Sequence, residues 1–422
     1  QLLLMQKLII KGKKILSGSI NISGSKNATL PILAASILTD KPLILKNVPL
    51  VQDVYTMINL LKFIGLNVEI SKKKNTLNIL NNKKLKTVAP YNLLKTMRAG
   101  VLVLGPLLAK YKKAKVSLPG GCAIGTRPVN LHLFALEKLG AKIKIKNGYI
   151  YASAKNGLKG NTIKFPSISV GATENAILAA ASANGKTIIS NCAIEPEILD
   201  MILFLKKIGC NINLIGKRKI LIIGNNKFQD ASHKIIFDRI ELGTYLIAGA
   251  LVGKKIIINK INSTIINTEI KIMKKMGVRM KVEKNKITVF ESKKLNSINI
   301  KTEAYPGFPT DLQAQIMVLM SKAHGKSKIK ESIFENRFMH VPELKRMGAK
   351  INTKNNIATI IGPTNLSGAE VMATDLRASV SLVLAALISD NKTTINRVYH
   401  LDRGYENLEK KLKKCKANIN RI

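Results

Sequence analysis

The chain has 422 residues, 46% of them hydrophobic and none of them tryptophan, with 69 lysines and arginines against 25 acidic residues for a net charge of +44. That length exceeds one comfortable core and points to two domains, and the apolar content excludes long disordered stretches. Apolar runs such as 378–388 are too short or too broken by serine to cross a bilayer, which takes about 20 residues.

The charge alone would suit nucleic acid or an anionic surface. Lysine is spread along the whole chain, however, in company with isoleucine and asparagine, and no basic stretch is interleaved with stacking aromatics. Small anionic substrates are the expected partners, with no nucleic acid, no membrane and a monomeric protein. At the amino terminus Gln1–Leu4 reads as an appendage ahead of Met5, with no charged region or cleavage site of a secretory leader.

In chain order, small apolar residues over 28–38 predict a helix buried on most sides, and 42–46 predicts a strand. An amphipathic helix follows, closed by Gly65 as a carboxy-terminal cap, and then a strand pair. The same order recurs five times. Inner helices are predicted over 99–109, 172–183, 242–252, 312–323 and 376–388, and strands over 114–118, 186–190, 254–259, 326–330 and 392–396. The closing glycine returns as Gly140, Gly209, Gly277 and Gly348, each followed by a short extended run, and Lys416 takes its place in the sixth copy. A period near 70 residues makes this an internal repeat. Three copies per domain, inner helices clustered within and sheets outside, is the expected architecture, with a midpoint near Lys234.

Polar residues break the inner helices only at their starts: Lys26 and Asn27, Arg98, Ser169 with Gly171, Asp238 with Arg239, Asp311, and Asp375 with Arg377. Helix amino termini offer free N–H groups and a positive dipole, so several around one cleft make an anion site. Each alone also suits capping, with Thr310 and Thr374 as good caps and Asp311 and Asp375 as first-turn acids.

The run Leu118-Pro-Gly-Gly-Cys-Ala-Ile-Gly-Thr-Arg-Pro stands apart. Gly120, Gly121 and Gly125 permit positive φ and close ligand approach, and Pro128 fits a first helical position. Cys122 would there feel a helix dipole and Arg127, which both favour thiolate. The remaining cysteines, Cys192, Cys210 and Cys415, have no paired metal spacing and no Cys-x-x-Cys motif. A reducing, cytoplasmic setting fits them best.

Several motifs together resemble one family: Ser23-Gly-Ser-Lys-Asn, Lys95-Thr-Met-Arg, Pro119-Gly-Gly-Cys, Ser169-Val-Gly-Ala-Thr-Glu-Asn, Phe308-Pro-Thr-Asp, Phe334-Glu-Asn-Arg-Phe-Met-His, Ala373-Thr-Asp-Leu-Arg and Asp402-Arg-Gly-Tyr-Glu. From Lys7 onward the chain is similar to the UDP-N-acetylglucosamine enolpyruvyl transferases, which begin peptidoglycan precursor synthesis. The resemblance implies an α/β fold of two inside-out, barrel-like domains, each of three repeated βαβαββ-type units. One domain would cover 27–234, and the other 1–26 with 235–422. The implied reaction moves the enolpyruvyl group of phosphoenolpyruvate to the 3'-hydroxyl of UDP-N-acetylglucosamine and releases phosphate, without metal or organic cofactor.

By that resemblance Cys122 protonates the methylene carbon and can form a covalent adduct, and Asp311 is the general base at the hydroxyl. Lys26, Arg127 and Arg403 form the phosphate and carboxylate clamp, with Asn27, Asp375 and Arg377 close by, and Lys26 and Arg403 also take part in catalysis. The nucleotide-sugar contacts map to Arg98, Arg127, Pro128, Val129, Asn130, Leu131, Ser167, Ser169, Val170, Gly171, Asp311 and Ile333. Asn130 stands where the family pattern has aspartate, so an amide must meet the uracil edge. Ser167 lacks the positive side chain of some relatives. The nearest rival, a shikimate-pathway enolpyruvyl transferase, is opposed by the Cys122 loop and the Phe334 motif. A basic nucleic-acid-binding protein would show salt-sensitive association instead.

Overall fold

The computed structural model describes residues 6–81, 83–119, 129–292 and 294–422. The readings made on Met5 and on the Cys122 loop therefore lie outside the described residues. Residues 24–119 with 129–236 form one compact unit, and 6–23 with 237–422 form another.

The sixfold repeat is real, and each copy builds one four-stranded sheet. In the first copy Leu43–Lys46 pairs parallel with Ala231–Lys234 and antiparallel with Thr76–Leu80, which in turn pairs with Asn67–Ser71. The same pattern, one parallel pair then two antiparallel pairs, recurs in the second and third copies. It also holds for the three sheets of the other unit. Among the described residues the six sheets stay separate, so neither unit closes a hydrogen-bonded barrel.

Three sheets are completed by distant chain. The carboxy-terminal strand of the 24–236 unit, Ala231–Lys234, supplies the parallel partner of its first copy. In the other unit Leu8–Lys11 lies between Lys392–Asn396 and Asn418–Arg421, and serves as the third strand that the sixth copy lacks. Leu16–Asn21 gives the fourth copy its parallel strand.

The inner helices are Lys26–Ala35, Leu104–Tyr111 and Val170–Ala180 in one unit. Arg239–Val252, Gln313–Ser321 and Ala378–Ile388 are their counterparts in the other. Each is apolar nearly all round. Every residue of Ala378–Ile388 is buried, which a helix reaches only when neighbours cover every side. The second copy departs from the expected single helix over 99–109. A 3₁₀ turn, Arg98–Val103, comes first. The α-helix starts only at Leu104, which places Pro106, with no N–H to give, inside the first turn.

The closing glycines explain themselves in φ. Gly65, Gly140, Gly209, Gly277 and Gly348 lie between +91° and +125°, a region that L side chains resist. Lys416 occupies the sixth equivalent position at φ +71°. Holding a side chain there costs about 1–2 kcal/mol, partly offset by the chain entropy that glycine would lose. Lys416→Gly should therefore stabilise the protein by about 0.5–1 kcal/mol. The check is a higher urea midpoint with an unchanged m-value; a lower midpoint would refute it.

Candidate active site

In the 24–236 unit the expected residues gather at the amino ends of helices. Ser25 caps Lys26–Ala35, its Oγ accepting from the Ala28 N–H at 3.3 Å. Lys26 follows, buried, with its Nζ 3.1 Å from Asp53 Oδ2. That partner is the first-turn acid of helix Gln52–Ile64. A buried ammonium survives only with such a partner. Asn27 is half-buried beside it.

Val129, Asn130 and Leu131 lie at the start of helix Asn130–Lys138, with Asn130 exposed. Ser169 caps helix Val170–Ala180, its Oγ accepting from Ala172 N–H at 3.3 Å, while Ser167 sits exposed just upstream. Arg98 opens the 3₁₀ turn. Cys122, Arg127 and Pro128 fall outside the described residues. Sequence reading assigned no role to Asn175 and His132, which join these segments. Asn175 bonds to Gly105, Val101 and His132, and the His132 ring lies directly against Gly171. Glu174 is buried near Glu195 and Glu197. Burial first, then those two like charges, hold its carboxyl well above the ordinary range.

In the other unit Asp311 stands in the 3₁₀ turn Thr310–Leu312. Its Oδ1 accepts from Arg337 Nη2 at 2.8 Å, and its Oδ2 lies 3.4 Å from Arg377 Nε. Arg377 is buried and lies 3.7 Å from Asp238 Oδ2 through Nη2. Its guanidinium also covers the Tyr405 ring at 5.3 Å. Burial works against that charge, but Asp238, Tyr405 and Asp311 outweigh it and strengthen its hold on the proton. Arginines and carboxylates thus alternate, each fixed by the next.

Two capping assignments need correction. Thr374 does not cap the sixth inner helix: Asp375 does, its Oδ1 accepting from Arg377 and Ala378 N–H at 2.7 and 2.9 Å. The carboxylate reaches two N–H groups at once. Nor does Thr310 cap, because its hydroxyl goes to Glu331 Oε2 at 2.9 Å. Glu331 also accepts from the backbone N–H of Ile333 and Phe334, so it pins the exposed Ile333 segment to the turn that carries Asp311. Arg403 ends the short helix Tyr399–Asp402. Its charge and that of Asp375 both act on His400, whose protonation burial already disfavours.

The sequence profile of the EPSP synthase (3-phosphoshikimate 1-carboxyvinyltransferase) family matches residues 10–412. The UDP-N-acetylglucosamine 1-carboxyvinyltransferase of Pelagibacter ubique is 59% identical over 418 residues, covering 99% of this chain and 100% of the relative. The protein of the same name from Rickettsia bellii is 52% identical over 421 residues, with 99% and 100% covered. Among solved structures, the enolpyruvyl transferase NikO from Streptomyces tendae aligns with a TM-score of 0.91 at 24% identity over 99% of both chains. An EPSP synthase from Acinetobacter baumannii aligns with a TM-score of 0.78 at 17% identity over 99% of this chain and 100% of its own. These two likenesses bear on the fold, and they agree with the two-unit α/β architecture.

No helix among the described residues is long and apolar enough to cross a membrane.

One buried base near Asp375 gives a pH dependence. His340 is 1% exposed, and neither ring nitrogen has a hydrogen-bond partner among the described residues. Burial depresses its pKa to about 4, against the pull of Asp375 and with a further push from Arg337. The unfolded chain takes that proton near pH 6.5 while the native protein refuses it until about pH 4, so stability is lost as pH falls between those values. The loss is about 2–4 kcal/mol. His340→Gln should lose less stability than the parent between pH 7.5 and 4.5 in urea titrations. Equal losses would show that the imidazole does not titrate as described.

Proposed function

The chain belongs to the EPSP synthase (3-phosphoshikimate 1-carboxyvinyltransferase) family, and from that premise we propose that it transfers the enolpyruvyl group of phosphoenolpyruvate to the 3'-hydroxyl of UDP-N-acetylglucosamine, releasing phosphate. The observation that carries the choice of acceptor is the 59% identity, end to end, with a relative named for that nucleotide sugar.

In this reaction the sugar hydroxyl oxygen bonds to C2 of phosphoenolpyruvate while C3 gains a proton. The tetrahedral adduct then loses inorganic phosphate and a C3 proton to restore the double bond. Cys122 supplies the C3 proton in our reading, and Asp311 receives the hydroxyl proton. A positioned acid or base of this kind contributes about 10²–10⁴ in rate. The Arg337 and Arg377 contacts support that role, since they hold the Asp311 carboxylate in one orientation.

Phosphoenolpyruvate brings a phosphate and a carboxylate, and needs several fixed cations. We assign them to Lys26, Arg127 and Arg403, with Asn27, Asp375 and Arg377 nearby. Arg98, residues 127–131, Ser167, Ser169, Val170, Gly171, Asp311 and Ile333 take the nucleotide sugar. The Asn130 amide meets the uracil edge. Residues 27–234 form the nucleotide-sugar side and the rest of the chain the second catalytic domain. The protein acts as a monomer in the cytoplasm, a setting supported by Cys192, Cys210 and Cys415, all buried and free of disulfides.

Phosphate release tests the acceptor. Phosphate should appear only when phosphoenolpyruvate and UDP-N-acetylglucosamine are both present; turnover with shikimate 3-phosphate instead would transfer the reading to the rival acceptor. Thiol chemistry tests Cys122. Burial pushes the Cys192, Cys210 and Cys415 thiols up to about 11, 12 and 11, so they stay protonated and slow to react at neutral pH. Fosfomycin, an epoxide that mimics phosphoenolpyruvate in this family, should therefore add once, and Cys122→Ser should add none by intact mass. An unmodified parent protein would contradict the thiol assignment.

A further inference from the structure

Asn175 is fully buried in the second turn of helix Val170–Ala180, and three hydrogen bonds leave its amide no freedom. Its Oδ1 accepts from the Gly105 backbone N–H at 2.8 Å. A backbone N–H can only donate, so the oxygen end of the amide faces Gly105. At the other end Nδ2 donates to the Val101 carbonyl at 3.2 Å, an acceptor only, and lies 3.2 Å from His132 Nδ1. With both ends assigned by partners that have one role each, the second Nδ2 hydrogen points at His132 Nδ1, which must accept it.

The consequence falls on the opposite side of the ring. An accepting Nδ1 carries no proton. Burial and the Arg98 charge keep the ring neutral, with a pKa of about 4, so its single proton resides on Nε2. That nitrogen makes no hydrogen bond to any described residue. It lies against the first turn of helix Val170–Ala180: a Cβ built on Gly171 would come within 3.2 Å of Nε2. The Val170 and Gly171 backbone N–H groups belong to the same turn, which Ser169 caps. Gly105 fits this arrangement too, since a Cβ there would come within 2.3 Å of Asn175 Oδ1.

We infer that Asn175 is a positioning residue that fixes His132 as the Nε2–H tautomer, aiming a neutral N–H donor beside Gly171 at a diphosphate oxygen of the nucleotide sugar. The inference rests on the proposed function for the identity of the ligand, while the tautomer rests on hydrogen-bond direction alone. A neutral donor suits a position that already has Arg98 and a helix amino terminus, because it adds direction without a further charge. The same amide also ties the Arg98 turn and helix Asn130–Lys138 to the helix that Ser169 caps, so three segments assigned to the nucleotide sugar share one anchor.

The test combines a structural and a binding readout on the full chain. Nitrogen-15 spectra of histidine-labelled protein, with the His132 signals identified by their loss in His132→Gln, should show an unprotonated Nδ1 and a protonated Nε2. A protonated Nδ1 would overturn the inference. Calorimetry with UDP-N-acetylglucosamine alone, without phosphoenolpyruvate, should show about tenfold weaker binding for His132→Phe and for Asn175→Asp. Aspartate there accepts where asparagine donates, and should move the His132 proton to Nδ1. Should Asn175→Asp fail to fold for want of a donor to Val101, His132→Phe still decides the matter because it leaves the Gly105 and Val101 bonds intact. His132→Gln, which retains an N–H donor, should recover part of the affinity. Variants that bind as tightly as the parent would overturn this inference alone, whereas a parent protein with no affinity for the nucleotide sugar would overturn the proposed acceptor with it.

Discussion

A helix that is apolar on every side has to be surrounded, and that requirement shapes both units. Three such helices per unit pack against one another, and the sheets are left to cover the outside. The only backbone groups these helices cannot satisfy internally are at their ends. Buried ends need partners, so the polar residues of the inner helices collect there: Ser25 and Lys26, Ser169, Asp238, and Asp375 with Arg377. The packing keeps most charge out of the helix middles and gathers it at the amino ends, with Glu174 and Asn175 as buried exceptions in helix Val170–Ala180.

Arg377 shows how far this goes. A guanidinium at 3% exposure would be costly alone. Here it lies between Asp238 and Asp311, and Asp311 is itself held by Arg337. Removing Asp238 or Asp311 would strip the buried Arg377 charge of one of its two carboxylates, and such a loss costs more than an intact pair gains. Asp311 is thereby held from two sides by Arg337 and Arg377, which suits the proposed role of its carboxylate.

Much of this was legible in the sequence because its signals are local. The inner helices and the strands after them depend on spacing within one copy, and the six-fold period shows in their recurrence along the chain; the strands 186–190 and 392–396 fall where composition put them. The closing glycines were legible because their φ values leave little choice of residue. What escaped depends on partners far along the chain. Asn175 meets Gly105 and Val101 across 70 and 74 residues, and nothing near Asn175 announces them. Thr310 and Thr374 looked like caps on local rules, yet Glu331 competes for one hydroxyl and the longer Asp375 carboxylate takes the N–H groups of the other helix. Arg337, His340 and Tyr405 were visible inside motifs, but their neighbours were not.

The strand Leu8–Lys11 has a consequence for how the chain comes into being. Both its edges are filled by segments near residues 392–396 and 418–421. On a ribosome it is made long before either neighbour exists. Residues 24–236 need nothing from beyond Lys234 for their sheets, so they can mature while this early strand is still waiting with bare edges. Leu8–Lys11 is thus made before residues 24–236 and paired after them.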